Sequence, residues 1–155
     1  YKNIDFSFTF QGEWGSSLYN EAGKFHSSNA TDLDNQTVDQ LTRWQKPGDI
    51  TMVPQARWDT NGNQASTRYL EKSDFIRLRN LSLGYTLPKS IAQKISLDRL
   101  RIYLTGVNLL TFTKYSGYDP ESTYDNNGSS NIRKGITFYS APPAKTITIG
   151  LNIDL

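Results

Sequence analysis

A strict alternation of apolar and polar residues marks the last ten positions of the chain. From Thr146 to Leu155 every second residue is Ile or Leu, and the residues between them are Thr, Gly, Asn or Asp. Because successive side chains of a β-strand point to opposite faces, this segment predicts a strand with one apolar face. Sandwich strands are typically about five or six residues long, whereas a strand that crosses a membrane needs about 9 to 11. The apolar face therefore meets either lipid or a protein core.

Three further segments show the same alternation. With the last segment they predict antiparallel strands at about 2–15, 75–87, 99–113 and 144–155. If these strands cross a membrane, the residues of their apolar faces contact lipid. The predicted lipid-facing residues are Ile4, Phe6, Phe8, Phe10, Leu81, Leu83, Tyr85, Ile147, Ile149, Leu151 and Ile153.

The alternation is less regular in the second and third strands. A β-bulge at Gly106 would restore the phase of the third strand by turning Val107 to the apolar face and Asn108 to the polar face. In the second strand Arg77 and Arg79 share the parity of the apolar face. They are predicted to lie above the hydrocarbon layer, among anionic head groups.

Two long polar stretches connect the predicted strands. The segments 16–74 and 114–144 are rich in Asn, Asp, Ser, Thr and Gly, and the first contains a predicted short helix over 35–44. The connection at 88–98 is short. Because the strands alternate in direction, both long loops leave one end of the sheet, as the external loops of outer-membrane barrels do. With a periplasmic C-terminus, which is usual for bacterial barrels, both long loops lie outside the cell.

The composition excludes several classes of protein. The chain has 155 residues, a hydrophobic share of 36% and a mean hydropathy of −0.59. No segment approaches the about 18 apolar residues of a transmembrane helix. The net charge of +2 comes from scattered residues, which argues against nucleic acid as a partner. The sequence contains no Cys, which excludes disulfides and thiolate metal sites.

The sequence offers no catalytic or metal-binding motif, so we expect no enzyme activity, no catalytic residues, no cofactor and no metal. His26 is the only histidine, which is too few for a site built from several imidazoles. The segment 59–63 begins like a calcium loop. It lacks the Gly and the Glu that such a loop requires, because Gln64 and Leu70 occupy those positions. This segment therefore predicts a turn.

Several stretches of the sequence resemble one family of membrane transporters. They are Phe-Ser-Phe-Thr-Phe-Gln-Gly at 6–12, the strand at 75–88, the block at 100–121 and the tail at 147–155. In this order they resemble the C-terminal part of the SusC/RagA family of TonB-dependent outer-membrane transporters of Bacteroidetes. The implied fold class is all-β, with about four C-terminal antiparallel strands of a large transmembrane β-barrel and long extracellular loops.

The resemblance also implies what the whole protein does. Residues 1–155 would be the C-terminal part of the barrel without its plug domain, so the barrel is incomplete and the chain is a fragment. The implied function is active import of large nutrients, glycans or oligopeptides, across the bacterial outer membrane. The implied partners are the remainder of the barrel and plug, TonB through that plug, a SusD-like surface lipoprotein, and lipid. Family tails commonly end in an aromatic residue, whereas this sequence ends in Leu155.

Aromatic residues in the long loops are candidate contacts for a ligand or a partner. Sugar rings stack on aromatic faces, and Asp binds hydroxyl groups. The alternatives are that these side chains pack the loops together or contact the partner lipoprotein, because protein interfaces also favour Trp and Tyr. The candidates are Trp44, Trp58, Tyr69, Tyr115, Tyr118 and Asp119.

Two other classes fit parts of the pattern. A soluble secreted carbohydrate-binding β-sandwich would bury the same apolar faces against a second sheet. A glycoside hydrolase would need two carboxylates about 5 to 10 Å apart, and the sequence does not pair any. The sandwich is thus the main alternative to the barrel.

Overall fold

The computed structural model describes residues 3–27, 35–57, 64–121 and 135–155. The chain divides into two compact units. The first, which we call the sheet unit, comprises Tyr1–Trp14, Asp74–Thr113 and Pro143–Leu155. The second, the loop unit, comprises Gly15–Ser73 and Lys114–Pro142.

Seven strands and several short helices lie within the described residues. The strands are β1 Ile4–Glu13, β2 Ser17–Asn20, β3 Leu70–Lys72, β4 Phe75–Thr86, β5 Arg99–Thr113, β6 Ile136–Thr137 and β7 Thr146–Asp154. The α-helices are α1 Glu21–His26 and α2 Lys89–Ala92, and the 3₁₀ helices are Val38–Thr42, Thr67–Tyr69 and Gln93–Ile95. None of the helices in the described ranges is long and apolar enough to cross a membrane.

The sheet unit is one antiparallel sheet with the strand order β1-β4-β5-β7. Each of these four strands lies inside one of the ranges expected from the alternation. The register places apolar residues opposite apolar residues across the sheet. One such row is Phe6, Leu83, Leu104 and Ile149, and the neighbouring row on the other face is Ser7, Ser82, Thr105 and Thr148.

The apolar face of this sheet is exposed. Phe6 is 60% exposed and Ile149 is 76% exposed. A sandwich would bury such residues against a second sheet. The sheet is open, so the prediction of an all-β fold with four antiparallel strands is confirmed, and the sandwich is not supported.

The prediction for Arg77 and Arg79 is wrong because β4 contains a bulge. Thr9 lies opposite Asn80 and Phe10 lies opposite Leu78, so Arg79 is an extra residue on β4. A one-residue shift moves every following side chain to the other face. Arg77 consequently lies opposite Gln11 on the polar face. The Nε atom of Arg79 also donates to Oε1 of Gln11, at 2.7 Å.

The position of the bulge in β5 also differs from the prediction. Val107 pairs with Asn80 and Thr146, so it lies on the polar face. Two residues, Asn108 and Leu109, lie opposite the single residue Arg79. Asn108 has a φ of 54°, a left-handed conformation that Asn tolerates better than most residues. The extra residue therefore lies two positions beyond Gly106, which stays on the apolar face opposite Ile147.

The loop unit contains a small second sheet that the alternation did not predict. Its order is β3-β2-β6, with β2 antiparallel to β3 and parallel to β6. The helix expected over 35–44 is a 3₁₀ helix at Val38–Thr42. Val38 is 83% exposed and Gln40 is buried, so the apolar side of this helix does not face a core.

Candidate functional site

The loop unit contains a cavity of about 500 Å³. Helix α1, the 3₁₀ helix at Val38–Thr42, strand β3 and the segment 116–118 contribute to its walls. Most of the residues that line it have polar or aromatic side chains. The side chains that bear on its chemistry are Asn20, His26, Arg68, Tyr69, Glu71 and Tyr118.

Asn20 holds three segments of the cavity wall together. Its Oδ1 accepts a hydrogen bond from the backbone N–H of Gly23 at 2.8 Å, which caps the start of α1. Its Nδ2 donates to Glu71 Oε1 at 3.0 Å and to Ser116 Oγ at 3.2 Å. The backbone N–H of Ser116 donates to the other oxygen of Glu71, at 2.9 Å. This network satisfies both oxygens of the Glu71 carboxylate within the protein.

Tyr115 is packed inside the loop unit. It is 6% exposed, and its hydroxyl forms a hydrogen bond with Oγ1 of Thr137. Burial raises the pKa of the Tyr115 phenol. Gly117 lies against its ring, since a Cβ atom there would be 2.5 Å from Tyr115 Cε1. The absence of a side chain at Gly117 thus allows this close approach.

Arg68 and Tyr69 form one side of the cavity. The guanidinium carbon of Arg68 lies 5.3 Å from the centroid of the Tyr69 ring, which is a cation–π contact. The Tyr69 ring packs edge-on against Tyr19, with centroids 6.3 Å apart. Nη1 of Arg68 is buried and has no hydrogen-bond partner. This nitrogen is a donor whose hydrogen-bonding capacity the protein leaves unused.

The structure brings only part of the predicted contact set to the cavity. Tyr69 and Tyr118 line it, and Tyr118 is 61% exposed. Tyr115 and Asp119 are buried, and Asp119 Oδ1 accepts a hydrogen bond from the backbone of Glu121. These two side chains stabilise the loop unit.

The two candidate tryptophans and the predicted turn lie elsewhere. Trp44 is half-buried, and its backbone N–H donates to Val53 O at 2.9 Å, outside the cavity. Trp58 and the segment 59–63 lie outside the described residues.

Three cavity residues were not found from the sequence. For Asn20 a signal was present, because Asn directly before Glu-Ala-Gly-Lys is typical of a helix N-cap. Arg68 and Glu71 carried no comparable signal, since isolated charged residues in a loop are usually solvated. His26, the single histidine of the sequence, lines the cavity, and its Nε2 lies 3.1 Å from the hydroxyl of Tyr139.

The polar face of the sheet unit carries a second group of interacting side chains. Arg101 forms two contacts with Asp5, from Nη2 to Oδ2 at 2.6 Å and from Nε to Oδ1 at 3.1 Å. Gly84 lies between them on β4, where a Cβ atom would be 2.4 Å from both side chains. Tyr103 similarly covers Gly150, where a Cβ atom would be 2.2 Å from its ring.

The described residues contain no cluster of three or more His, Cys, Asp or Glu side chains suited to a metal ion. The polar, aromatic and cationic side chains that line the cavity suit the recognition of a ligand.

Two curated proteins of Formosa agariphila are similar to nearly the whole chain. TonB-dependent receptor P3 is 39% identical over 155 residues, which is 99% of this chain and 15% of that protein. TonB-dependent receptor P26 is 35% identical over 158 residues, which is 99% of this chain and 16% of that protein. The chain thus spans about one sixth of the length of these relatives. No protein-family model matches it.

Solved structures of one membrane assembly share the fold. The RagAB peptide importer in its closed-closed state gives a TM-score of 0.79 at 27% identity, covering 99% of this chain and 16% of that one. The open-open state gives a TM-score of 0.78 at 26% identity with the same coverage. Both the sequence and the fold therefore match one part of much longer chains.

Proposed function

We propose that this chain forms part of an outer-membrane importer of large nutrients, because it belongs to the SusC/RagA family of TonB-dependent receptors. Its contribution would be barrel wall, lumen lining and external loops. The named relatives are receptors and the structural neighbour is an importer, so the proposed role is transport and not catalysis.

The main support for this proposal is the exposed apolar face of the sheet unit. Large contiguous apolar surfaces on proteins mark contacts with other proteins or with membranes. Here the exposed rows run along four strands of 9 to 15 residues, lengths that suit a tilted crossing of the bilayer. We assign these rows to lipid. The assigned residues are Ile4, Phe6, Phe8, Phe10, Leu81, Leu83, Tyr85, Ile147, Ile149, Leu151 and Ile153.

The lengths of the connections support an orientation. The long connections, β1 to β4 and β5 to β7, join strands at one end of the sheet, whereas the connection from β4 to β5 spans only 87–98. Outer-membrane barrels have short periplasmic turns and long external loops. We therefore place the loop unit outside the cell, and the C-terminal end of β7 on the periplasmic side.

The partners follow from the family and from exposed side chains of the loop unit. Val38, Leu41, Ile50 and Met52 are each at least 74% exposed, although they are apolar. Such residues suit contact with the remainder of the barrel or with a SusD-like surface lipoprotein. Energy would come from TonB, acting through a plug domain elsewhere in the protein. The cargo is a glycan or an oligopeptide, and the neighbouring RagAB is a peptide importer.

Deletion of the receptor gene in its bacterium tests the import function. The deletion strain is grown on defined peptide mixtures and on defined polysaccharides as sole carbon source, with uptake of fluorescently labelled cargo measured in parallel. We expect loss of growth and of uptake on one cargo class, and restoration by a plasmid copy of the gene. Unchanged uptake of every cargo would contradict the proposal.

A further inference from the structure

We propose that the cavity of the loop unit binds a carboxylate group of the cargo through Arg68. This inference rests on the proposed import function and specifies the chemistry that the external loops recognise. The carboxylate would come from an acidic oligopeptide or from a uronate-containing oligosaccharide, since both present the same planar anion.

The state of the Arg68 side chain is the first argument. Its guanidinium carbon lies 5.3 Å from the centroid of the Tyr69 ring, and its buried Nη1 has no hydrogen-bond partner. The side chain as a whole is only half-buried and lines the cavity, so a ligand would approach its accessible N–H groups. A buried donor without an acceptor destabilises a protein, so native structures rarely keep one without a reason. The guanidinium also presents a planar fork of N–H groups that matches a carboxylate.

The neighbouring polar groups of the cavity are already engaged. Asn20 bonds Gly23, Glu71 and Ser116, and both oxygens of Glu71 accept hydrogen bonds from this network. These side chains shape the wall but have little capacity left for a ligand. Arg68 lines the same cavity, is half-buried, and forms no hydrogen bond to a described residue.

Two acidic residues also line the cavity, and their charges restrict which anions the site can bind. Glu71 is held by Asn20 and Ser116, and Asp39 accepts a hydrogen bond from the hydroxyl of Thr37. Because both carboxylates remain on the wall, the site favours a single carboxylate directed at Arg68 and disfavours a densely charged polyanion. The exposed ring of Tyr118 offers a flat surface for the adjoining part of the cargo.

The full-length receptor, purified in detergent, allows a direct test by calorimetric titration. The probes are a terminally blocked hexapeptide with a central Glu, the same peptide with Gln, a trisaccharide with a single galacturonate residue, and the methyl ester of that trisaccharide. The variants are Arg68→Gln, Arg68→Lys, which keeps the charge but loses the planar fork, and Arg57→Gln. Arg57 is an exposed arginine of the same unit that bonds Gln55, so it serves as the matched control.

We expect one acidic probe to bind the wild type about tenfold more tightly than its neutral counterpart, as a charge-assisted pair would give. Arg68→Gln should abolish this preference, Arg68→Lys should reduce it, and Arg57→Gln should leave it intact. The probe that binds identifies the peptide or the saccharide as the source of the carboxylate.

Two outcomes overturn the inference. One is an equal preference for the acidic probe in wild type and Arg68→Gln, and the other is no acidic preference in the wild type. If the deletion strain has nonetheless lost uptake, the import function stands and only the carboxylate site is withdrawn.

Discussion

The two units of this chain differ in how they place many of their apolar side chains. In the sheet unit Phe8 is 57% exposed and Ile147 is 70% exposed. In the loop unit Leu18 is 5% exposed and Tyr115 is 6% exposed. Burial of apolar groups is the main stabilising contribution in water, and the alternating rows of the sheet unit depart from that rule along one continuous face. The difference supports the proposal that this face contacts lipid.

The interactions that stabilise the two units differ as well. The sheet unit relies on long ladders of backbone hydrogen bonds with a regular register. The loop unit has strands of only two to four residues and depends on side chains such as Asn20 and Tyr115. Variants should therefore act through lipid contact or strand packing in the first unit, and through polar contacts in the second.

The largest effect is expected from Arg on the apolar face of the sheet unit. Ile149→Arg should impair assembly by about 2 to 4 kcal/mol if the position lies near the bilayer midplane. Thr148→Arg, on the opposite face of the same strand, is the matched control and should have a mild effect. The assembled fraction can be measured from the heat-modifiable gel mobility of the receptor in outer-membrane preparations. Equal impairment at both positions would contradict the assignment of the faces.

A smaller effect is expected where Tyr103 covers Gly150. Gly150→Ala would place a Cβ atom 2.2 Å from the Tyr103 ring, so the ring must move. Overpacking of this kind costs about 1 to 3 kcal/mol. The double variant with Tyr103→Ala should be less destabilised than the sum of the two single variants. Guanidinium unfolding of the detergent-solubilised receptor measures all three. Simple additivity would show that the contact does not restrict the residue at position 150.

The smallest effect is expected from Tyr115 in the loop unit. Tyr115→Phe removes the hydrogen bond to Thr137 and should lower the local stability of this unit by about 1 kcal/mol. Backbone hydrogen exchange should accelerate in the loop unit and stay unchanged in β4 and β5. If hydrogen exchange accelerated equally in both units, the view that the two units are stabilised separately would be contradicted.

The same residue predicts a pH dependence. Because burial raises the pKa of the Tyr115 phenol, the unfolded chain loses this proton at a lower pH than the folded chain does. Stability of the loop unit should thus fall as the pH rises above about 10, the usual pKa of Tyr. Tyr115→Phe should weaken this fall, and the remainder should come from Tyr19, whose pKa burial also raises.

The sheet unit could be predicted from the sequence to within a few residues. Alternation between Ile147 and Ile153 or between Ile4 and Phe10 has a single physical cause, the two faces of a strand. The alternation did not reveal the bulge at Arg79, and it placed the bulge of β5 at Gly106 when the extra residue is Asn108. A bulge depends on which residues pair across strands, and the sequence of one strand does not contain that information.

The loop unit was largely beyond prediction. Its sheet joins Ser17–Asn20 to Leu70–Lys72 and Ile136–Thr137, which are far apart in the sequence and too short to show a period. The cavity residues Asn20 and Glu71 meet only because these strands pair. Two of the candidate contact residues, Tyr69 and Tyr118, line the cavity, but the aromatic pattern did not reveal Arg68.

The strand order has a consequence for the timing of assembly. β1 and β7 are the edge strands of the sheet, and both carry long rows of exposed apolar residues. Edge strands of this kind readily pair with other chains in water and lead to aggregation. If the apolar face meets lipid as proposed, a chaperone must shield these strands until the sheet reaches the bilayer, or the strands must remain unfolded until then.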